Sequence, residues 1–293
     1  MSISTKFETF CNNLRISNEN LEKISYRYHQ ITRRINLDYW NIQSDTNHSL
    51  YVGSFGRDTE IFASDIDMLI QLPYSTYEKF NKYSVNGQLA LLQEVKKVIE
   101  KTYSCSNLKG DGQIISFPFD DGISFEILPA FINKDDQSFT FANSNNGGSW
   151  HITDPRAEIE AINDLNKKSN GNLKRLCKMV RAWKNTNLVD ISGILIDILA
   201  YRFINNWEHK DKSYTYYDWM TRDFFKYLSE VNKEQYEWYA MGSNRKIRCF
   251  GKFQNKAKQA YDTSLEAIKY EESGYEYSAN LKWREIYGTK FPQ

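Results

Sequence analysis

The chain has 293 residues and a formal net charge of +1, which gives room for one large or two medium domains and excludes a global basic field for a long nucleic acid. Its four cysteines (Cys11, Cys105, Cys177, Cys249) and four histidines (His29, His48, His151, His209) are scattered, with no CxxC pair, which argues against a zinc ribbon, a disulfide scaffold or a histidine metal site. No apolar run is long enough to span a membrane and MSISTKFETF lacks an apolar signal core, so a soluble cytoplasmic protein with no membrane partner is expected.

The spacing of Ile24, Tyr28, Ile31, Ile35 and Tyr39 predicts a helix over 19–42, capped by Asn18 or Asn20, that packs in a core or braces two lobes. A short apolar run at 50–52 then ends at Gly53-Ser54. After a polar loop, a second apolar run carries Asp65 and Asp67 on alternate residues. In a strand these two side chains share a face, and carboxylates held that close repel each other unless a cation sits between them. Hard oxygen ligands of this kind favour Mg²⁺. Gly53 lets the backbone approach a ligand, and Ser54 offers a hydroxyl and an amide to a phosphate. The other reading of the stretch is a hairpin edge with two solvated Asp.

A helix is predicted over 87–103, with Leu89, Leu92, Val95 or Lys96, and Ile99 on one side. Residues 113–119 and 123–128 read as strands joined by Asp120-Asp121-Gly122. In the second of them Ser124, Glu126 and Leu128 share a face opposite Phe125 and Ile127. Glu126 is therefore a carboxylate in an apolar strand, either partnered or turned outward. The Gly/Asn-rich segment 133–149 reads as a loop and marks the lobe boundary, and Asp154-Pro155 reads as a helix start.

Beyond it strand signals fade, and helices are predicted at 155–168, 172–186, 191–207, 217–230, 254–271 and 276–286. On the helix NLKRLCKMVRAWK, Leu173, Leu176, Val180 and Trp183 form the buried stripe. Lys174, Lys178 and Arg181 form a basic row. Lys174 reads as solvated, while Lys178 and Arg181 are placed as a triphosphate clamp. Ser192 either caps the next helix or touches a phosphate or base. Ser169, before the basic helix, either contacts a purine or belongs to a turn with Asn170 and Gly171.

GSFGRDT, SDID, FEILPAF, WHITDP and LCKMVRAWK together resemble the nucleotidyltransferase superfamily with a polymerase-beta-type core. Within it the chain is most similar to the bacterial cGAS/DncV-like nucleotidyltransferases, the cyclic-oligonucleotide synthases of antiphage signalling. YTYYDWMTRDFFKYL, GSNRKI, GKFQNKAKQAYD and KWREIYGTKFP narrow the likeness to the E-like clade, the cyclic dinucleotide synthases. The resemblance implies an α+β fold: a mixed sheet with flanking helices at 1–154 and a helical substrate-binding lobe at 155–293, with a cleft between them. It makes Gly53 and Ser54 the GS motif that holds the triphosphate. Asp65 and Asp67 become metal-binding carboxylates, with Glu126 as the third where the family usually has Asp. Lys178 and Arg181 match the triphosphate-binding positions, and Ser192 matches a nucleotide contact.

The expected chemistry is two-metal nucleotidyl transfer. Asp65, Asp67 and Glu126 hold two Mg²⁺ about 4 Å apart, a ribose hydroxyl attacks the α-phosphate in line, and pyrophosphate leaves. A second round closes the ring to a cyclic dinucleotide. ATP is expected first, with GTP as the other purine. No nucleic-acid activator is expected, and a downstream effector binds the product rather than the enzyme. The alternatives are another nucleotidyltransferase, tailing RNA or adenylylating a small molecule, and a non-catalytic nucleotide-binding protein.

Overall fold

In the computed structural model, which describes residues 1–63, 65–103, 108–248 and 251–293, the chain opens with α1 (Ile3–Asn13) and α2 (Asn18–Ile35). Then come β1 (Ser49–Tyr51), the single turn α3 (Gly53–Gly56), β2 (Asp65–Gln71), α4 (Tyr74–Asn81) and α5 (Gly87–Glu100). β3 (Lys109–Asp111), β4 (Ile114–Pro118), β5 (Ser124–Ile132), β6 (Phe139–Asn143) and β7 (Ser149–Thr153) complete a mixed sheet. The remainder is α6 (Pro155–Lys168), α7 (Asn172–Thr186), α8 (Gly193–Asn206) and α9 (Tyr217–Glu230), the hairpin β8 (Glu237–Tyr239) and β9 (Lys246–Arg248), then α10 (Gln254–Glu272) and α11 (Glu276–Tyr287). Cys105, Cys249 and Ser64 of the SDID motif lie outside the described residues.

The chain divides into a sheet unit, residues 16–57 and 62–159, and a helical unit, residues 1–15, 58–61 and 160–293. In the sheet unit β5 is the central strand. It pairs parallel with β2 on one side and antiparallel with β4 and β6, while β1 runs antiparallel to β2. Alternation along the strands decides the two faces. Ile66, Met68, Ile70, Phe125 and Ile127 point into one core, which α2 closes with Ile24, Tyr28, Ile31 and Ile35. α5 closes it further with Leu91, Leu92, Val95, Val98 and Ile99. Leu89, expected in that stripe, is 37% exposed, so the buried arc of α5 is turned from the expected one. On the opposite face Val52, Leu69, Ala130 and Phe139 form a small apolar cluster, leaving the positions of Asp65, Asp67 and Glu126 beside it.

Local chemistry sets the helix ends. Ser17, not Asn18 or Asn20, caps α2 by accepting from the amide of Asn20, and α2 ends in a π turn at Asn36–Trp40. Asp154 caps α6 through the amide of Ala157, with Pro155 in the first turn. The segment 133–149 is not a loop throughout. Phe139–Asn143 is β6, in which Phe139 and Ala142 are buried on opposite faces and Thr140, Phe141 and Asn143 are half-buried. The Gly and Asn signals belong to the turns on either side of that strand. The β8–β9 hairpin was likewise not legible, because three-residue strands are too short to show a period.

In the helical unit α1 packs as part of the core: the Phe7 ring stands edge-on to Trp283 at 5.2 Å and to Phe291 at 5.2 Å. Ile61 of the short segment 58–61 joins the same core. No helix among the described residues is long and apolar enough to cross a membrane.

Candidate active site

The parallel register of β2 and β5 places Asp67 opposite Glu126 and Asp65 opposite Ser124. Cross-strand partners in a parallel pair project to the same face, and residues two apart on a strand do too. Asp65, Asp67 and Glu126 therefore share the face of the sheet opposite α2 and α5. Burial, and then the charge of Asp65, raise the Glu126 carboxyl above the ordinary carboxylate range. The third carboxylate thus senses the first across the strand pair.

Gly53 completes the arrangement. Its φ is +60°, a left-handed backbone that glycine adopts without steric cost. A Cβ built on it would fall inside the Asp67 carboxylate. The backbone reaches this position because the Val52 amide donates to the Asp67 carbonyl at 3.0 Å, continuing the β1–β2 ladder by one residue. Ser54 follows in α3 and is partly exposed. Gly56 also needs to lack a side chain, since a Cβ there would meet the Tyr51 carbonyl at 2.5 Å. Arg57, at the end of the turn, is buried and pairs with Glu158 of α6 at 3.4 Å. This buried pair anchors the GS turn and was not singled out from the sequence, where GSFGRDT shows Arg57 but no hint of its partner.

The donor chemistry suits a divalent cation, since three carboxylates on one face are hard oxygen ligands. Among the described residues, however, no group of three or more His, Cys, Asp or Glu side chains is placed to hold a metal ion.

In the helical unit the basic row of α7 divides. Lys178 extends to Asp58, Nζ to Oδ1 2.7 Å, and Lys174 reaches the other oxygen at 3.4 Å. Lys174, expected as simply solvated, is thus an ion-pair partner with a side chain only 19% exposed. Arg181 is not placed as a phosphate clamp. Its side chain is 5% exposed and donates through both terminal nitrogens to the buried Asp197 of α8, at 2.7 and 3.1 Å, and to the Gly193 carbonyl at 3.2 Å. The Thr59 hydroxyl donates to the same carboxylate at 3.0 Å. A phosphate could reach this guanidinium only by unpairing a fully buried aspartate, which costs several kcal/mol, of order 3–5. Ser192 caps α8 by accepting from the Leu195 amide. Ser169 is fully buried, with its hydroxyl turned to the Asn166 carbonyl at 3.3 Å, so it has no surface with which to read a base.

Residues 1–166 match the family model of the Second Messenger Oligonucleotide or Dinucleotide Synthetase domain, which is more than half of the chain. The chain belongs to this family. A probable cyclic nucleotide synthase of Bacillus cereus (strain VD146) is 24% identical over 178 residues, covering 57% of this chain and 51% of that protein. The chain thus spans about half the length of this synthase relative. A cyclic AMP-AMP-AMP synthase of Acinetobacter sp. is 20% identical over 263 residues, covering 84% of this chain and 73% of that protein. The structure of the E. coli MS115-1 CdnC:HORMA-deltaN complex superposes with a TM-score of 0.70 at 11% identity, covering 99% of this chain and 98% of that one. The chain therefore has the α+β fold of the bacterial cGAS/DncV-like nucleotidyltransferases, built on a polymerase-beta-type core.

Proposed function

We propose that this synthetase joins nucleoside triphosphates into a cyclic di- or oligonucleotide and releases pyrophosphate. The observation that carries the reading is the register of Asp67 with Glu126, which puts three carboxylates on one sheet face beneath the Gly53–Ser54 turn. Family membership supports it, as do the names of the two synthase relatives.

The protein's part is positioning and charge. Gly53 keeps the space over Asp67 clear, so a phosphate can come close to the turn, and Ser54 donates its hydroxyl to that phosphate. Asp65, Asp67 and Glu126 are the groups that would hold Mg²⁺. When bound, the metal would neutralise the triphosphate and ease loss of the proton from the attacking ribose hydroxyl. The ribose oxygen forms the new bond to the α-phosphorus while the bond to pyrophosphate breaks. Lys178 supplies countercharge to phosphate from α7, whereas Arg181 holds α7 to α8.

ATP is the proposed first donor, in line with the relative named for an all-adenine product. That relative's name contains three nucleotides, so the proposal covers a three-nucleotide ring as well as a two-nucleotide one. A cyclic second messenger read by a separate effector in antiphage signalling is the proposed role, without a nucleic-acid activator. The test is to incubate the protein with each labelled nucleoside triphosphate and Mg²⁺, then treat with phosphatase. Phosphatase-resistant label is expected with ATP. If all label stays phosphatase-sensitive in every combination of the four nucleotides, the reading is wrong.

A further inference from the structure

Asp58 sits in the segment 58–61, which is fastened to the helical unit on both sides. Thr59 is fully buried and bonded to Asp197, and Ile61 lies in the core. Asp58 itself adopts φ +54°, a left-handed conformation that Asp and Asn tolerate better than most residues. The backbone therefore presents this carboxylate at a set position, and one oxygen goes to each of two lysines one turn apart on α7. The exposures are unequal. The Asp58 side chain is 62% exposed, whereas Lys174 and Lys178 are each 19% exposed. Two cations are thus partly withdrawn from water, and a single solvent-facing carboxylate covers them.

An anion with more charge and more oxygens makes stronger charge-assisted bonds to the same ammonium groups. We propose that Asp58 is a built-in competitor for the phosphate chain that Lys174 and Lys178 bind, so that a triphosphate must displace this carboxylate. The proposal rests on the reading of Lys178 as a phosphate ligand. It gives Asp58 the role of weakening the grip on phosphate, so that a polyphosphate is held only when other contacts add to the two lysines.

The experiment measures binding of inorganic tripolyphosphate by calorimetry to the parent, Asp58→Asn, Lys178→Gln and the double variant. Asn keeps the left-handed backbone and removes only the charge. Removing the competing ion pair should tighten tripolyphosphate binding about three- to tenfold in Asp58→Asn. The gain should vanish when Lys178→Gln is added. Binding that is unchanged, weaker or undetectable in Asp58→Asn overturns the proposal, as does a gain that survives without Lys178. Tripolyphosphate needs no chemistry, so failure to make a cyclic product would count against the proposed function and would not be confused with this result.

Discussion

Asp67 of β2 and Glu126 of β5 are direct partners across a parallel strand pair, 59 positions apart in the chain. Burial, and then the charge of Asp65 on the same face, raise the Glu126 carboxyl above the ordinary carboxylate range. On the proposed function these carboxylates serve a cation. Asp67→Asn and Asp65→Asn should each lower product formation by about a thousandfold or more, the scale of losing a principal charge-stabilising group. Thermal stability should hold or rise, because a repulsion is removed. Product chromatography with a melting curve on the same preparations checks both. A loss of activity accompanied by unfolding would leave the carboxylates with a structural role only.

Gly53 is the residue whose replacement should damage fold and site together. In Gly53→Ala the new Cβ meets the Asp67 carboxylate, and the backbone is held at φ +60°. The conformational strain alone is worth about 1–3 kcal/mol. The melting temperature should fall and product formation should be lost. Gly147 provides the control: it also has a positive φ, but a Cβ there meets nothing within 4 Å. Gly147→Ala should cost stability and spare activity.

Arg181 and Lys178 share a basic row in the sequence, yet their substitutions should behave differently. Arg181→Met leaves Asp197 as an uncompensated buried charge, so denaturant unfolding should show a loss of about 3–5 kcal/mol. Lys178→Met removes a partly exposed ion pair and should cost about 1 kcal/mol or less, while raising KM for the nucleotide. If Lys178→Met unfolds the protein and Arg181→Met does not, the assignment of the two roles is reversed.

Ser169 offers a test of base reading. Because its hydroxyl is enclosed and bonded to the Asn166 carbonyl, Ser169→Ala should leave the ratio of products from mixed nucleotides unchanged. A shifted product ratio would place this residue against the base after all.

Asp218, in the first turn of α9, is pushed up to about 6 by burial, against the opposing pull of the Trp219 amide and the Arg222 charge. Between its ordinary value of 3.8 and about 6 the folded protein keeps a proton that the unfolded chain has released. Its contribution to stability is therefore complete below pH 4 and lost as the pH rises through 6. Asp218→Asn should be more stable than the parent at pH 7 by about 1–2 kcal/mol and nearly equal to it at pH 4. Unfolding curves of both proteins at the two pH values measure this; an equal gain at pH 4 would mean that charge is not the cause.

The amino-acid sequence by itself determined most of the long helices and singled out three carboxylates as candidates, and its family resemblance implied the α+β class that the structure has. Periods of two and of about 3.6 are local properties, and the side chains that break them, such as Asp65, Asp67 and Glu126, stand out against an apolar pattern. β8 and α3 were not legible because they are too brief to show a period, and β6 was hidden between Gly- and Asn-rich turns that read as one loop. Only the tertiary structure decided which partner each charged residue has. Arg181 and Lys178 look alike three residues apart on one helix, but Asp197 comes from α8 and Asp58 from the segment after the GS turn. It also set the register that brings Glu126 beside Asp67 and the packing of α1 on α11. These are contacts between distant stretches of chain. Burial and pairing fix them in three dimensions, and no spacing along the sequence encodes them.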